Sequence, residues 1–131
     1  FRGIFIANPT EDIIIDNVTI DGSTYTISVD AGGNKNLTVT NSTLNGWTSY
    51  AATLANVSFT NCKFGEGNNY AFLRPYAPST FANCEFETGF KLDATKTSSI
   101  VLENCTVNGV ALTAENLTTL LGASAANAIV K

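Results

Sequence analysis

The sequence predicts an all-β protein whose short parallel strands wind as a solenoid. Five segments share one pattern of apolar and polar positions, and each carries an asparagine at the same place. These asparagines recur at steps of 24, 20, 22 and 21 residues, a period typical of a solenoid with one coil per repeat. The segments are IIIDNVTI (13–20), LTVTNSTL (37–44), VSFTNCKF (57–64), STFANCEF (79–86) and IVLENCTV (100–107).

Composition narrows the class of protein further. The chain has 131 residues, 44% of them hydrophobic, which fits one folded domain. Its net charge of −4 disfavours nucleic acid and anionic membranes as partners. No apolar run approaches the roughly 20 residues of a membrane span. The absence of histidine excludes a Ser-His-Asp triad, a histidine base and a histidine-ligated metal.

The asparagines mark a turn in each coil. Apolar residues stand two positions before each asparagine and three positions after it, with a small residue one position after it. Inward positions in one strand share parity, and here the parity changes across the asparagine, so the chain turns there. We expect the five side chains to point inward and to bond along a stack spaced about 4.8 Å per coil. A polar binding site is the alternative use of these residues, which are Asn17, Asn41, Asn61, Asn83 and Asn104.

A third strand is expected in every coil. Its predicted inward pairs are Ile27/Val29, Ala52/Leu54, Ala71/Leu73, Phe90/Leu92 and Val110/Leu112, with Ile4 and Ile6 in a partial first coil. The outward residues of these strands then form two columns. The columns are Ser28, Thr53, Phe72, Lys91 and Ala111, and Asp30, Ala55, Arg74, Asp93 and Thr113.

The composition changes near the C-terminus. Residues 1–112 carry the coils, and residues 113–131 have the composition of a helix that covers the end of the same domain. Thr113 is the expected N-cap and Gly122 the expected helix stop. No similar cap is visible before Phe1, so further coils or a neighbouring domain are expected at that end.

These coils resemble right-handed parallel β-helices of the pectate-lyase type, which combine asparagine ladders with stacked apolar interiors. The resemblance covers about residues 4–112. It implies a fold that hosts lyases, hydrolases and adhesins, so it does not specify an activity. The small Asn-Cys coils with a short helical end are also similar to β-helix domains on surface proteins of polysaccharide-utilising gut bacteria.

Three cysteines occupy one column, at Cys62, Cys84 and Cys105. Their odd number and parallel directions argue against disulfides, and a zinc site would need converging ligands. We expect buried reduced thiols that act as small apolar residues. No metal, cofactor or catalytic residue is assigned.

The candidate site is an outer face that combines aromatic and charged side chains. Predicted loops supply Trp47, Tyr50, Tyr70 and Tyr76, and the outward columns supply the other side chains. Sugars stack on aromatic planes, and charged groups bond sugar hydroxyls or carboxylates. The alternative is structural, with Arg74 and Asp93 forming a surface ion pair and the aromatic rings shielding the coils. The predicted binding residues are Trp47, Tyr50, Tyr70, Phe72, Arg74, Tyr76, Lys91 and Asp93.

The preferred function is a non-catalytic extracellular or cell-surface module that binds a polysaccharide or another surface partner through this face. A polysaccharide lyase or glycoside hydrolase is the first alternative. For a lyase, no three carboxylates converge. For a hydrolase, Glu85, Glu87 and Glu103 are close enough, but Glu85 is predicted to form an ion pair with Lys63. A structural spacer, an adhesin or an ice-binding solenoid is the second, although Asp16, Ala82 and Glu103 interrupt the threonine rows.

Overall fold

The computed structural model describes residues 2–50 and 53–131. Short strands dominate these residues, joined by turns that contain asparagine in the left-handed region. The elements are β1 (Arg2–Ala7), β2 (Ile13–Asp16), β3 (Thr19–Ile20), β4 (Tyr25–Ala31), β5 (Leu37–Thr40), β6 (Thr43–Asn45), β7 (Trp47–Tyr50), β8 (Val57–Thr60), β9 (Lys63–Gly65), β10 (Phe72–Pro75), β11 (Ser79–Ala82), β12 (Glu85–Phe86), β13 (Lys91–Leu92), β14 (Ile100–Glu103), β15 (Thr106–Val107), β16 (Val110–Ala111), α1 (Leu117–Leu121) and β17 (Ile129–Val130).

Three sheets run along the solenoid, and each takes a strand from successive coils. Sheet A has the order β1-β4-β7-β10-β13, sheet B the order β2-β5-β8-β11-β14-β17, and sheet C the order β3-β6-β9-β12-β15-β16. Among the described strands, all pairs between coils are parallel, whereas β15 and β16 pair antiparallel. The predicted parallel β-solenoid of about five coils is therefore confirmed.

The interior consists of the columns that the repeat predicts. In sheet B the register joins Val39, Phe59, Phe81 and Leu102, and all four are fully buried. In sheet C the register joins Leu44, Phe64 and Phe86 in the same way. Each fully buried apolar side chain of this size stabilises the fold by about 1.5–3 kcal/mol.

The asparagines turn the chain as predicted, but they do not point inward. Their φ values lie between 52° and 56°, in the left-handed region, and all five are exposed. Hydrogen bonds between side-chain amides join Asn61 to Asn41 at 3.3 Å and Asn104 to Asn83 at 2.7 Å. The side chain of Asn41 also donates to Asp16 at 3.0 Å. The ladder therefore lies outside the turn, because the residue after each asparagine, not the asparagine, enters the core. The expected buried ladder is wrong on this point.

The predicted third strand is displaced in the second coil. There sheet A contains Trp47–Tyr50, and the predicted inward residue Ala52 lies outside the described residues. Thr53 stands in the following turn, where its hydroxyl accepts a bond from Gly32 N at 2.7 Å. The predicted columns through Thr53 and Ala55 are therefore wrong.

The last coil and the C-terminal segment also depart from the prediction. Val110 lies in an antiparallel hairpin and is 53% exposed, so it is not an inward residue. Thr113 and Asn116 exchange hydrogen bonds, but Asn116 and not Thr113 is the N-cap of α1, so the predicted N-cap is wrong. The helix ends at Leu121, and Gly122 follows as its C-cap, as predicted. Beyond α1 the chain returns to sheet B as β17, so the cap is part helix and part strand.

Candidate functional site

One column of outward side chains runs along sheet A. Strand register places Arg2 beside Tyr25, Tyr25 beside Trp47, Trp47 beside Phe72, and Phe72 beside Lys91. We call these five residues the outer column. Each coil contributes one member, so three aromatic rings are flanked by a cation at each end.

The rings of the outer column pack on one another. Ring centroids of Tyr25 and Trp47 lie 5.1 Å apart with an angle of 26° between the planes, and Trp47 and Phe72 lie 5.6 Å apart. Cations also cover the rings: Arg74 Cζ lies 4.9 Å from the Trp47 ring, and Arg2 Cζ lies 6.0 Å from Tyr25. Such contacts contribute about 0.5–1 kcal/mol each at exposed sites.

Gly46 allows the chain to enter sheet A at Trp47, soon after the asparagine turn at Asn41. Gly46 has a φ of 143°, and a Cβ there would lie 2.8 Å from the carbonyl oxygen of Ser23. Trp47 N then donates to Thr24 O at 2.8 Å and begins β7. Trp47 is therefore held by a strand and not by a loop, which corrects the sequence prediction.

A tight turn brings Tyr70 onto Trp47. Gly67 and Tyr70 exchange two backbone hydrogen bonds around Asn68 and Asn69, both in the left-handed region. This is the turn chemistry of a two-residue hairpin loop. Asn68 Nδ2 fixes the turn by donating to Thr24 Oγ1 at 2.7 Å. The Tyr70 ring lies 5.8 Å from the Trp47 ring, and Tyr70 is 41% exposed.

Tyr50 does not belong to this surface. It is 1% exposed because strand alternation directs it inward, on the opposite side from Trp47 and Ser49. Its hydroxyl lies 2.6 Å from Ser79 Oγ, which donates in turn to Ala77 O. Burial raises the pKa of Tyr50, and the Ser79 hydrogen bond opposes this rise only in part. The prediction of Tyr50 as a binding residue is therefore wrong.

Arg74 packs on the aromatic rings, while Asp93 has its own partners. The Asp93 carboxylate accepts bonds from the backbone N and the hydroxyl of Thr95. Burial would raise the pKa of Asp93, but these bonds and the charges of Lys96 and Arg74 lower it below its usual value. Arg74 is therefore oriented by Trp47 and Phe72 more than by an ion pair with Asp93.

The remaining predicted residues lie on the same face. Phe72, Arg74 and Tyr76 alternate with the buried residues of and beside β10, and Tyr76 is 36% exposed. Sequence reasoning missed Arg2 and Tyr25. The signal for Tyr25 was present, because aromatic residues recur at 25, 47 and 72, close to the coil period. We define the aromatic face as the outer column together with Tyr70, Arg74 and Tyr76.

Two buried donors of the aromatic face lack a partner within residues 2–50 and 53–131. They are Trp47 Nε1 and Arg74 Nε, which make no hydrogen bond in these ranges. An unpaired buried donor costs about 1–3 kcal/mol, and such groups are few in native structures. Both atoms belong to the cluster where the guanidinium of Arg74 lies over the indole of Trp47.

Other chemically active side chains have structural partners. Cys62, Cys84 and Cys105 are free and buried, as predicted, and donate to backbone carbonyl oxygens. The flanking thiols together with burial raise the pKa of Cys84. On sheet C, Glu85 lies beside Lys63 and accepts a bond from Thr106, while Glu87 accepts one from Glu66 N at 2.8 Å.

Within residues 2–50 and 53–131, no group of three or more Cys, Asp or Glu residues is placed to hold a metal ion. No helix in the same ranges has both the length and the hydropathy needed to cross a membrane.

Comparison with known proteins agrees with the architecture. Residues 2–127 match the model of a family described as "Right handed beta helix region". No curated protein and no solved structure matches the chain. The match spans nearly the whole sequence and the sheets show the corresponding parallel coils, so this chain belongs to the right-handed β-helix family.

Proposed function

We propose that this chain is a non-catalytic β-helix module that binds a polysaccharide along its aromatic face. We also propose that the protein lies outside the cell or on its surface, where such ligands occur. We further propose that it is similar to pectate-lyase-type β-helices and to surface domains of polysaccharide-utilising bacteria.

The observation that carries the proposal is the register of the outer column. Parallel strands repeat at about 4.8 Å, so the five positions extend over about 19 Å. An extended saccharide chain presents a similar group at every unit, and a solenoid presents a similar side chain at every coil. A ligand that runs along the solenoid axis would therefore meet Tyr25, Trp47 and Phe72 in turn.

The exposed rings suit the apolar sides of sugars. The faces of the Trp47 ring are already covered by Tyr25, Tyr70 and Arg74, so this residue organises the surface and offers its edge. Tyr70 and Tyr76 are the more exposed rings and are the better candidates for stacking on a sugar. The unpaired Trp47 Nε1 and Arg74 Nε would gain an acceptor if a ligand hydroxyl reached them.

The charges of the face favour contact with polar ligands. Arg2, Arg74 and Lys91 are three of the seven Lys and Arg residues in the chain. Arg2 and Lys91 are exposed, whereas Arg74 is half-buried. Cationic donors of this kind bond hydroxyl or carboxylate oxygens strongly and directionally.

A glycan array with purified protein tests the proposal. We expect binding to at least one class of polysaccharide, weakened about threefold to tenfold by Tyr70→Ala because a stacking ring is removed. Val110→Ala is the matched control, because it truncates an exposed apolar residue on sheet C and should leave binding unchanged. An array without binding would refute the proposed function, and equal losses in both variants would refute the assigned face.

The non-catalytic part of the proposal has a separate test. Incubation with uronate polymers should produce no unsaturated ends detectable by ultraviolet absorbance, and incubation with neutral polymers no new reducing ends. Product formation that scales with protein concentration would favour a lyase or hydrolase instead.

A further inference from the structure

A recess lies where sheet A meets the C-terminal cap. Its volume is about 520 Å³, within the roughly 300–1,000 Å³ typical of small-molecule sites. The side chains that define it come from β10, from β13, from the end of α1 and from the turn after it. They are Phe72, Lys91, Leu92, Leu121, Ala123 and Ser124.

The recess is formed by elements that are tied together. Leu92 and Leu121 are fully buried and make its floor, while Phe72 is half-buried and makes one side. Ala94 N donates to Ser124 O at 2.9 Å, which fixes the cap to the chain just after β13. The cavity is therefore part of the folded domain and needs no rearrangement to exist.

Of the residues that the structure describes, Lys91 is the one charged residue that lines this recess. Its aliphatic stem lies against Gly122, where an added Cβ would be 3.0 Å from Lys91 Cδ. Gly122 has a φ of 97°, so glycine provides both the turn and the space for the stem. Asp93, two residues further along the chain, accepts hydrogen bonds from Thr95. An apolar floor with a single ammonium group at its rim complements a ligand with an apolar body and a negative end.

We infer that this recess binds a small amphiphilic anion, specifically an aryl or alkyl carboxylate. The apolar body would pack against Phe72, Leu92 and Leu121, and the carboxylate would accept bonds from Lys91 Nζ and Ser124 Oγ. The recess shares Phe72 and Lys91 with the aromatic face, but its other lining residues come from β13 and the cap. The inference goes beyond the proposed function, since it concerns a small ligand and needs no polysaccharide.

Three soluble probes separate the contributions to binding. In an NMR titration of the amide signals, 4-phenylbutyrate should shift Leu92, Leu121 and Gly122 in a saturable way. The uncharged 4-phenylbutanol should bind about threefold to tenfold more weakly, because it lacks the charge that pairs with Lys91. Acetate should leave these signals unmoved, because it lacks the apolar body.

Two variants and a control complete the test. Lys91→Gln should reduce 4-phenylbutyrate affinity to that of the alcohol, and Ala123→Phe should block both probes by filling the recess. Lys96→Gln removes an exposed lysine that does not line the recess and should change nothing. Absence of shifts at the recess, equal affinity for acid and alcohol, or unchanged affinity in Lys91→Gln would overturn the inference. Phe72 and Lys91 belong to both sites, so the ligand distinguishes the two proposals: the glycan array tests the first, and the shifts with 4-phenylbutyrate test the second.

Discussion

The same repeat stacks aromatic rings both inside the solenoid and on its surface; we call Phe59 with Phe81 the inner stack, and the outer stack is the outer column. Inside, the ring centroids of Phe59 and Phe81 lie 5.0 Å apart, and the ring planes are nearly parallel, with an angle of 2° between them. Outside, Tyr25 and Trp47 lie 5.1 Å apart at 26°. The spacing is nearly identical because both pairs are neighbours across parallel strands.

The two stacks differ in what surrounds them. Phe59 and Phe81 are fully buried, whereas Trp47 is half-buried and is covered in part by Arg74. Burial of a large apolar side chain explains the inner stack in full. The rings of the outer stack contact one another, but Trp47 Nε1 has no hydrogen-bond partner in the described part of the chain. Strand repetition explains the geometry of both stacks, but folding stability alone explains only the inner one.

Truncation of a ring in the inner stack should lower stability more than truncation of a ring in the outer column. Phe81→Ala should lower the free energy of unfolding by about 3–5 kcal/mol, because it leaves a cavity between Phe59 and Phe86. Phe72→Ala, on the outer column, should cost clearly less, because its ring is half-buried. Urea unfolding of both variants measures the difference, and equal losses would show that the outer stack is part of the core.

Replacing an asparagine at the turn should have a smaller effect. Asn83→Leu places a bulky side chain at a φ of 54°, which costs about 1–2 kcal/mol. Asn83→Gly keeps the left-handed turn available and should cost less, although both variants lose the bond from Asn104. Urea midpoints distinguish the two, and equal losses would assign the role of Asn83 to its amide and not to its backbone conformation.

Tyr50 permits a comparison within a single strand, since it points inward beside the outward Trp47. The hydroxyl of Tyr50 stays protonated in the folded state while the unfolded chain ionises near pH 10. The raised pKa therefore contributes stability below pH 10, and this contribution is lost as the pH rises above that value. Tyr50→Phe should cost about 1 kcal/mol at neutral pH and should flatten the decline above pH 10.

The test of Tyr50 is a series of urea midpoints from neutral to alkaline pH. Tyr70→Phe is the control, because it removes the same hydroxyl from an exposed side chain. An identical alkaline decline in wild type and Tyr50→Phe would contradict the assigned cause.

The smallest effect concerns the cation on the outer stack. Arg74→Gln should lower stability by about 0.5–1 kcal/mol, because the guanidinium no longer lies over Trp47. The emission of Trp47, the single tryptophan, should shift at the same time. A loss as large as that of Phe81→Ala would contradict the view that the outer stack is marginal for folding.

The sequence predicted the parts of the fold that follow a strict period. Strands of sheet B and the columns through Phe59 and Phe64 are recognisable because their distance from the ladder asparagine is constant. Sheet A was harder, because the loop before it varies: β7 begins six residues after Asn41, whereas β10 begins eleven after Asn61. In the sequence, residues 52–54 alternate as a strand would, and so do the residues WTSY (47–50). Gly46 and the contacts of Trp47 favour the strand at Trp47–Tyr50.

The direction of the asparagines was not predictable from parity alone. The residue at a left-handed turn belongs to neither strand, so its side chain follows the local backbone and points to solvent. The exclusion of Tyr50 from the site follows from the same displaced strand, because once Trp47 faces outward, Tyr50 must face the core.

We propose that the outer stack serves a ligand and not the fold. Titration of Trp47 emission with soluble polysaccharides tests it most directly, since Tyr25, Tyr70, Phe72 and Arg74 all contact this single indole. We predict a saturable change with at least one polysaccharide, which Tyr70→Ala weakens and Val110→Ala does not. Emission that stays constant with every polysaccharide would contradict the claim.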